Sequence, residues 1–338
     1  MLKMLFAFVA GGAIAAGTLI ARDFLDEVPP SELASAASTK AIAVQMERLQ
    51  PHLVKFATAE VEEQRAILDE HFYQPKIDRA RELYPVTESV LDVDGVYTEV
   101  FAPKGGIPEQ NRNRVLINLH GGGFTMGART EGRLESIPVA AVAGMRIISV
   151  DYRQGPEHRF PAASEDVATV YRHLLQSHLP AQIGIFGCSA GGLLTAQSVA
   201  WFDAHGLPQP GAVGIFCAGA GDFFVGDSVQ IDKVLKTSLG EGDISYFEGA
   251  DWNDPLVAPI NHPELLSRFP PSLLITSTRD MALSSAVATH QRLVGAGADS
   301  DLHVYEGLTH YFFSDTDLPE SRQVFAVTAR FFDTHLAR

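Results

Sequence analysis

The chain has 338 residues, of which 46% are hydrophobic and 20% charged, proportions typical of a globular protein with a sizeable core. Its formal net charge is −15 at pH 7, and so acidic a surface repels nucleic acids and anionic membranes, which argues against polyanion binding. The two cysteines, Cys188 and Cys217, lie in apolar, strand-like surroundings, which predicts buried free thiols rather than a disulfide. No group of cysteines and histidines has zinc-site spacing, so we expect neither a metal nor another cofactor.

The first 30 residues differ from the rest of the chain. Lys3 is the only charged residue before Arg22, and the residues around it are almost wholly apolar. Such a segment is typical of a signal-peptide core or a short membrane anchor. Three glycines in this segment weaken a membrane-spanning helix, which argues against an anchor. No clear Ala-x-Ala cleavage site precedes Arg22, which argues against a cleaved signal peptide. The alternative is an apolar helix packed on the protein. We expect export, or membrane association through residues 1–21, rather than a cytoplasmic location.

Residues 31–84 have helical patterns and carry no chemical motif. In the first helix, apolar residues recur at three- and four-residue spacing and form one face; they are Ile42, Met46, Leu49, Leu53 and Phe56. A second helix is predicted from Glu60 to about Phe72, and a third near Ile77–Leu83. We expect these helices to pack over another part of the protein.

From residue 85 onwards, short apolar runs alternate with helical patterns. The predicted strands are Val86–Val93, Val96–Phe101, Val115–Leu119, Arg146–Val150, Ile183–Phe186, Ala212–Cys217, Leu273–Ser277 and Leu302–Tyr305. The first two flank Asp94-Gly95, a hairpin signal. The predicted helices are Glu131–Ala143, Ser164–Ser177, a helix after Gly192, Ala286–Val294 and Ser321–Leu336. This alternation predicts a mostly parallel, doubly wound sheet, whose functional sites lie at the carboxyl ends of its strands.

One such strand end carries the pattern Gly-x-Ser-x-Gly. The strand ending near Phe186 is followed by Gly187-Cys188-Ser189-Ala190-Gly191 and then by the start of a helix. A sharp turn between strand and helix exposes the serine hydroxyl at its tip. The pentapeptide alone also fits a glycine-rich helix start with an ordinary serine, so partners for Ser189 decide its meaning.

Two further strand ends supply such partners. Asp280 follows the predicted strand ending at Ser277, and His310 follows the strand ending at Tyr305. The chain order serine, acid, histidine is that of hydrolases with a nucleophile elbow. Histidine can remove the serine proton near pH 7, and a buried carboxylate orients the imidazole and stabilises its charged form. The rival acids are Asp251 and Asp254, and the rival base is His262.

A glycine-rich segment completes the set of strand-end features. The strand Val115–Leu119 leads into His120-Gly121-Gly122-Gly123. Attack on an ester carbonyl places negative charge on its oxygen, and preplaced backbone N–H groups stabilise that charge by about 3–4 kcal/mol each. Gly121, Gly122 and Ala190 are the expected donors. No Gly-Lys-Ser/Thr follows, so a Walker phosphate loop is excluded.

Together these motifs resemble the hormone-sensitive-lipase-like (bacterial family IV) esterases of the α/β-hydrolase superfamily. The resemblance rests on the glycine loop, the elbow, Asp151-Tyr152-Arg153 and the segment Pro156–Asp166, and it covers roughly residues 85–338. It implies an α/β-hydrolase domain over 85–338 with a helical cap, formed by residues 31–84 and an insertion near 222–265. It also implies Ser189 as nucleophile, Asp280 as acid and His310 as base, with Glu157 and His158 bracing the site.

The sequence departs from the family at two places. The elbow usually has Asp before its serine, where this chain has Cys188, and the acid motif reads Thr278-Arg279-Asp280 rather than beginning Asp-Pro. The implied activity is hydrolysis of short- to medium-chain acyl esters, small molecules that suit an apolar pocket. A lactonase or natural-product deacetylase with the same triad, and a non-catalytic receptor of the same fold, remain alternatives. A homodimer also remains open.

Overall fold

The computed structural model describes residues 30–235 and 244–338. The expected signal or anchor segment lies outside these residues, apart from Pro30. Among the helices that are described, none is long and apolar enough to cross a membrane.

An eight-stranded sheet forms the centre of the protein. Its strands are β1 (Val86–Val93), β2 (Val96–Pro103), β3 (Val115–Leu119), β4 (Arg146–Val150), β5 (Ile183–Cys188), β6 (Ala212–Phe216), β7 (Ser272–Arg279) and β8 (Ser300–Thr309). Their spatial order is β1-β2-β4-β3-β5-β6-β7-β8. The hairpin β1–β2 and the pair β2–β4 are antiparallel, and every other pair is parallel. The predicted mostly parallel α/β fold is therefore confirmed.

Helices cover both faces of the sheet. They are α1 (Ala36–Leu49), α2 (Leu53–Thr58), α3 (Val61–Leu68), α4 (Gln74–Leu83), α5 (Glu131–Ala143), α6 (Ala162–Leu174), α7 (Ala190–Ala204), α8 (Asp227–Leu235), α9 (Pro263–Leu266), α10 (Leu283–Gly295) and α11 (Pro319–His335). A single π-helical turn, Asp69–Tyr73, joins α3 to α4. The first predicted helix is divided into α1 and α2 by a 3₁₀ turn at Gln50–His52. The other predicted elements are present, with ends displaced by up to about four residues because apolar periodicity defines the interior of an element better than its ends.

The alternation of side chains along the strands divides the core into two clusters. Ile117 and Ile185 face one cluster, which includes buried residues of α6 and α7. Leu116 and Phe186 face the other, where residues of α4, α5 and α11 pack. The helices before residue 85 therefore contribute to the second core layer: Ile77 and Ala80 of α4 are fully buried.

The described residues of the segment near 222–265, which are 222–235 and 244–265, contain α8, the start of α9 and short 3₁₀ turns at Ser245–Phe247 and Pro259–Asn261, joined by irregular chain. Aromatic side chains of this segment pack on the residue after the glycine loop: the rings of Phe124 and Tyr246 stack with centroids 4.8 Å apart. The segment thus lies beside the loop that follows β3. Its role as a cap remains a prediction.

Candidate active site

The elbow serine lies in a strained turn. β5 ends at Cys188 and α7 begins at Ala190, and Ser189 between them has φ 55° and ψ −123°, a region that residues other than glycine rarely adopt. Its N–H donates to the Phe216 carbonyl at 2.8 Å. A Cβ atom on Gly191 would collide with the carbonyl oxygen of Leu119, so glycine is required where the turn packs on the end of β3.

The last residues of β7 and β8 bring the predicted acid and base together. Arg279 pairs with Thr309 after a shift in register between these parallel strands, and Asp280 and His310 are the next residues. His310 Nδ1 lies 2.7 Å from Asp280 Oδ1. The Asp280 side chain is buried, whereas 20% of the His310 side chain is exposed. This geometry fits a carboxylate that orients an imidazole facing the solvent side.

Further hydrogen bonds hold the Asp280 carboxylate in its charged form. Thr276 Oγ1 donates to Oδ2 at 2.9 Å, and the Ala282 N–H donates to Oδ1 at 2.9 Å. Burial alone would raise the pKa of Asp280, but His310 and these donors outweigh it and lower the pKa below 3.8. Asp280 is therefore ionised throughout the neutral range.

The rival residues have other roles. Asp251 and Asp254 accept hydrogen bonds from backbone N–H groups of their own loop, at Asn253 and Leu256. His262 Nε2 lies 3.0 Å from the Asn253 carbonyl. Each of these contacts is local in the chain, and none involves Ser189.

Positive φ angles and short-range hydrogen bonds define the shape of the glycine loop. Gly122, Gly123 and Phe124 have φ values of 93°, 62° and 55°, and the Gly122 carbonyl accepts N–H groups from the next turn at 2.9 and 3.0 Å. Burial lowers the pKa of His120, whose Nδ1–H donates to the Gly121 carbonyl at 2.8 Å. A Cβ atom on Gly121 would lie 3.1 Å from the Cys188 carbonyl, so the loop begins beside the elbow.

Glu157 and His158, which were expected to brace the site, lie in different surroundings. Glu157 forms an ion pair with Arg65 of α3, Nη1 to Oε1 at 2.6 Å, and this hydrogen bond lowers the pKa of Glu157. Arg65 also donates to the carbonyls of Thr125 and Gly155 at 2.7 and 2.8 Å. Glu157 therefore ties α3 to the loop after β4, whereas His158 is exposed.

Sequence reasoning missed several polar residues that the fold places around the glycine loop and the elements that flank it. They are Arg65, Tyr73, Glu131 and Glu135. Glu131 and Glu135 are both buried and lie four residues apart in α5, so one turn of the helix brings them close. Asn118 Nδ2 donates to Glu135 at 2.8 Å, yet burial raises the pKa of Glu135 well above its ordinary value. The signal for Glu131 and Glu135 was two acidic residues one turn apart in a predicted helix whose second half is apolar.

Both cysteines are free and buried. Cys188 Sγ points into the core rather than towards the exposed side of the elbow, since the residue is fully buried. Ligand atoms of Cys217, Asp280 and His310 lie within 4.8 Å of one another in the described part of the chain. Burial raises the pKa of the Cys217 thiol, and a protonated thiol is a poor metal ligand.

Known proteins match this chain in sequence and in fold. Residues 116–314 match a protein family that has the alpha/beta hydrolase fold. An acetyl-hydrolase of Streptomyces hygroscopicus is 30% identical over 235 residues, covering 67% of this chain and 78% of the relative. Esterase E25 superposes with a TM-score of 0.79 at 31% identity, covering 92% of this chain and 97% of its own.

A mutant of esterase E40 superposes with a TM-score of 0.78 at 26% identity, covering 90% of this chain and 99% of its own. The family match spans more than half of the chain, and the acetyl-hydrolase match spans two thirds of it. The chain therefore belongs to the alpha/beta-hydrolase fold family and, like these relatives, it is an ester hydrolase.

Proposed function

We propose that the protein hydrolyses carboxylic esters with short- to medium-chain acyl groups, through a triad of Ser189, His310 and Asp280. The observation that carries this proposal is the partly buried Asp280–His310 hydrogen bond of 2.7 Å, held at the same sheet edge as the strained serine of the elbow. Separate strand ends converge there, which a structural serine or histidine would not require.

The chemistry follows from these positions. His310 takes the Ser189 proton as the hydroxyl oxygen bonds to the ester carbonyl carbon, and Asp280 stabilises the imidazolium that forms. The tetrahedral intermediate collapses when His310 returns the proton to the departing alcohol, leaving an acyl-serine. Water then attacks the acyl-serine in the same way and releases the acid. The N–H groups of Gly121, Gly122 and Ala190 are the proposed donors to the oxyanion.

The proposed preference for short acyl chains draws on the apolar, aromatic segment beside the glycine loop. Phe124 packs on Tyr246 and Phe247 with ring centroids 4.8 and 5.0 Å apart, and apolar, aromatic surroundings suit small uncharged esters. The acetyl-hydrolase relative favours a second candidate, an enzyme selective for acetyl esters of larger alcohols.

The test is an ester panel combined with active-site labelling. We expect p-nitrophenyl esters from acetate to hexanoate to be hydrolysed, with palmitate the poorest. A fluorophosphonate probe should label the wild type and fail to label Ser189→Ala. The control variant Ser267→Ala changes an exposed serine and should behave as the wild type.

Each alternative has its own outcome. Peak turnover on palmitate would contradict the chain-length proposal, and turnover confined to lactones or to acetates of bulky alcohols would replace it. Absence of labelling would favour a non-catalytic receptor.

We also propose that residues 1–21 direct export or membrane association. Cell fractionation of the full chain and of a version without residues 1–30 tests this. Equal distribution of the two between soluble and membrane fractions would contradict it.

A further inference from the structure

The first residue of α5, Glu131, lies where several elements around the site meet. Only 5% of its surface is exposed. Tyr73, from the π-helical turn before α4, donates its hydroxyl to Glu131 Oε1. Tyr311, the residue directly after His310, donates its hydroxyl to the Glu131 backbone carbonyl at 3.4 Å. The residue is thus held from the N-terminal helices on one side and from the His310 segment on the other.

The Glu131 side chain also fills the space along the glycine loop. A Cβ atom on Gly121 would meet Glu131 Oε2, and a Cβ atom on Gly127 would lie 3.1 Å from Glu131 Cγ. The Glu131 N–H donates to the Gly127 carbonyl at 2.9 Å. One side chain therefore contacts both ends of the segment whose backbone N–H groups are the proposed oxyanion donors.

The charge of Glu131 acts on the same site. Burial raises the pKa of Glu131 to about 7, although the Tyr73 hydroxyl and the positive charges of His310 and Lys76 act to lower it. A carboxyl with this pKa changes charge in the range where a free histidine also titrates, and the electrostatic attraction between Glu131 and His310 links the charge of one to that of the other.

The titratable groups that act on Glu131 come from every element packed around it. They are Asp69, Tyr73 and Lys76 from the N-terminal segment, Glu135 from α5, Tyr152 after β4, Cys188 of the elbow, and His310 and Tyr311 after β8. Of these, His310 and Lys76 are the groups that can carry positive charge. His310 is the one of this pair that belongs to the proposed triad.

We propose that Glu131 is a positioning residue of the hydrolytic site: its side chain, braced by Tyr73, fixes the glycine loop, and its charge favours the protonated form of His310. This inference rests on the proposed function. It assigns two separable effects to one residue. The shape of the side chain maintains the backbone at Gly121, and the negative charge sets the pH range in which His310 acts as a base.

Two substitutions separate shape from charge. Glu131→Gln keeps the volume and an acceptor for the Tyr73 hydroxyl but removes the charge. We expect its kcat at pH 8 to stay within about threefold of the wild type, while the acidic limb of kcat/KM moves to lower pH by about 0.5–1 unit. The shift is downward because protonated His310 loses a nearby negative charge. Glu131→Ala removes the packing as well, and we expect kcat to fall at least tenfold with KM changed less than threefold.

Matched variants decide the outcome. Glu264→Gln makes the same change in the first turn of α9 at an exposed side chain and should leave the pH profile unchanged. Tyr73→Phe removes the hydroxyl that lowers the pKa of Glu131, so its acidic limb should move in the same direction as that of Glu131→Gln. If Glu131→Ala does not fold, Glu131→Gln and Tyr73→Phe still test the proposal.

Coincident acidic limbs for the wild type, Glu131→Gln and Glu264→Gln would overturn the proposal, as would an unchanged kcat in folded Glu131→Ala. Failure of the proposed function is visible separately. In that case the wild type would not react with the fluorophosphonate probe, or Ser189→Ala would keep its activity. A labelled wild type whose acidic limb is unmoved by Glu131→Gln refutes only the role of Glu131.

Discussion

Replacing Asp280 with asparagine tests the centre of the proposed mechanism with little change of shape. Asparagine can keep its oxygen towards His310 and the Ala282 N–H, which now approach Oδ1 at 2.7 and 2.9 Å. Its amide group then faces the Thr276 hydroxyl, which can rotate to accept a hydrogen bond. The substitution therefore removes the negative charge while the packing of the buried side chain is conserved.

The expected magnitude follows from the charge that is lost. Groups joined by a 2.7 Å hydrogen bond have charge centres about 4 Å apart, and at an effective dielectric constant near 20 two unit charges at that distance attract by about 4 kcal/mol. Since each 1.36 kcal/mol is a factor of ten in rate, kcat falls about a thousandfold. An asparagine that fixes the wrong imidazole tautomer extends the loss to about ten-thousandfold, the value known for a serine protease triad.

The assay is kcat/KM for p-nitrophenyl butyrate at pH 8, with thermal unfolding measured alongside. Asp251→Asn is the matched control, because Asp251 is one of the two rival acids in the sequence and accepts a backbone hydrogen bond in an exposed loop. We expect this control to retain wild-type kcat/KM. A loss of less than tenfold in folded Asp280→Asn, or a larger loss in Asp251→Asn, would refute the assignment of the acid.

The same residue predicts a pH dependence of stability. The pKa of Asp280 is lowered in the folded protein relative to 3.8, so its contribution to stability is fully present above about pH 4. That contribution is lost as the pH falls through the lower, folded-state value. Wild type and Asp280→Asn should therefore differ in the free energy of unfolding at pH 7 and converge in strong acid. A difference that stays constant with pH would show that the charge does not stabilise the fold.

Three further outcomes are expected. Gly191→Ala forces a Cβ atom against the Leu119 carbonyl, so we expect about 1–3 kcal/mol of destabilisation and at least a hundredfold loss of kcat. The control is Gly105→Ala, because Gly105 has open space around it. A wild-type kcat in Gly191→Ala would contradict this expectation. Arg65→Met leaves two backbone carbonyls without their donor and should lower the free energy of unfolding, measured by urea titration, by about 1–3 kcal/mol. An unchanged urea midpoint of unfolding would show that Arg65 does not hold α3 to the loop after β4. The two buried thiols should react with a thiol reagent only after denaturation, and fast reaction in the native protein would mean that the elbow opens.

Much of the fold could be predicted from local patterns. Strand and helix interiors follow from the spacing of apolar residues, as at Val115–Leu119 and Glu131–Ala143, because each periodicity reflects the geometry of one element. Element ends were less well predicted. β8 continues through Gly307, where φ is +74°, to Thr309. In the sequence this glycine indicates the end of a strand, whereas in the structure the strand bends there and continues. The roles of Ser189, Asp280 and His310 stay predictions, although the structure brings the last two into hydrogen-bond contact.

The sequence by itself determined the class of fold, the strand ends that carry chemistry and the order of the serine, acid and histidine along the chain. These are local properties, or consequences of parallel strands ending at one edge of a sheet. Only the tertiary structure decided what surrounds them. Tyr73 meets Glu131 across 58 residues, and Arg65 meets Glu157 across 92. No periodicity reports such contacts, because they depend on how the N-terminal helices pack over the sheet.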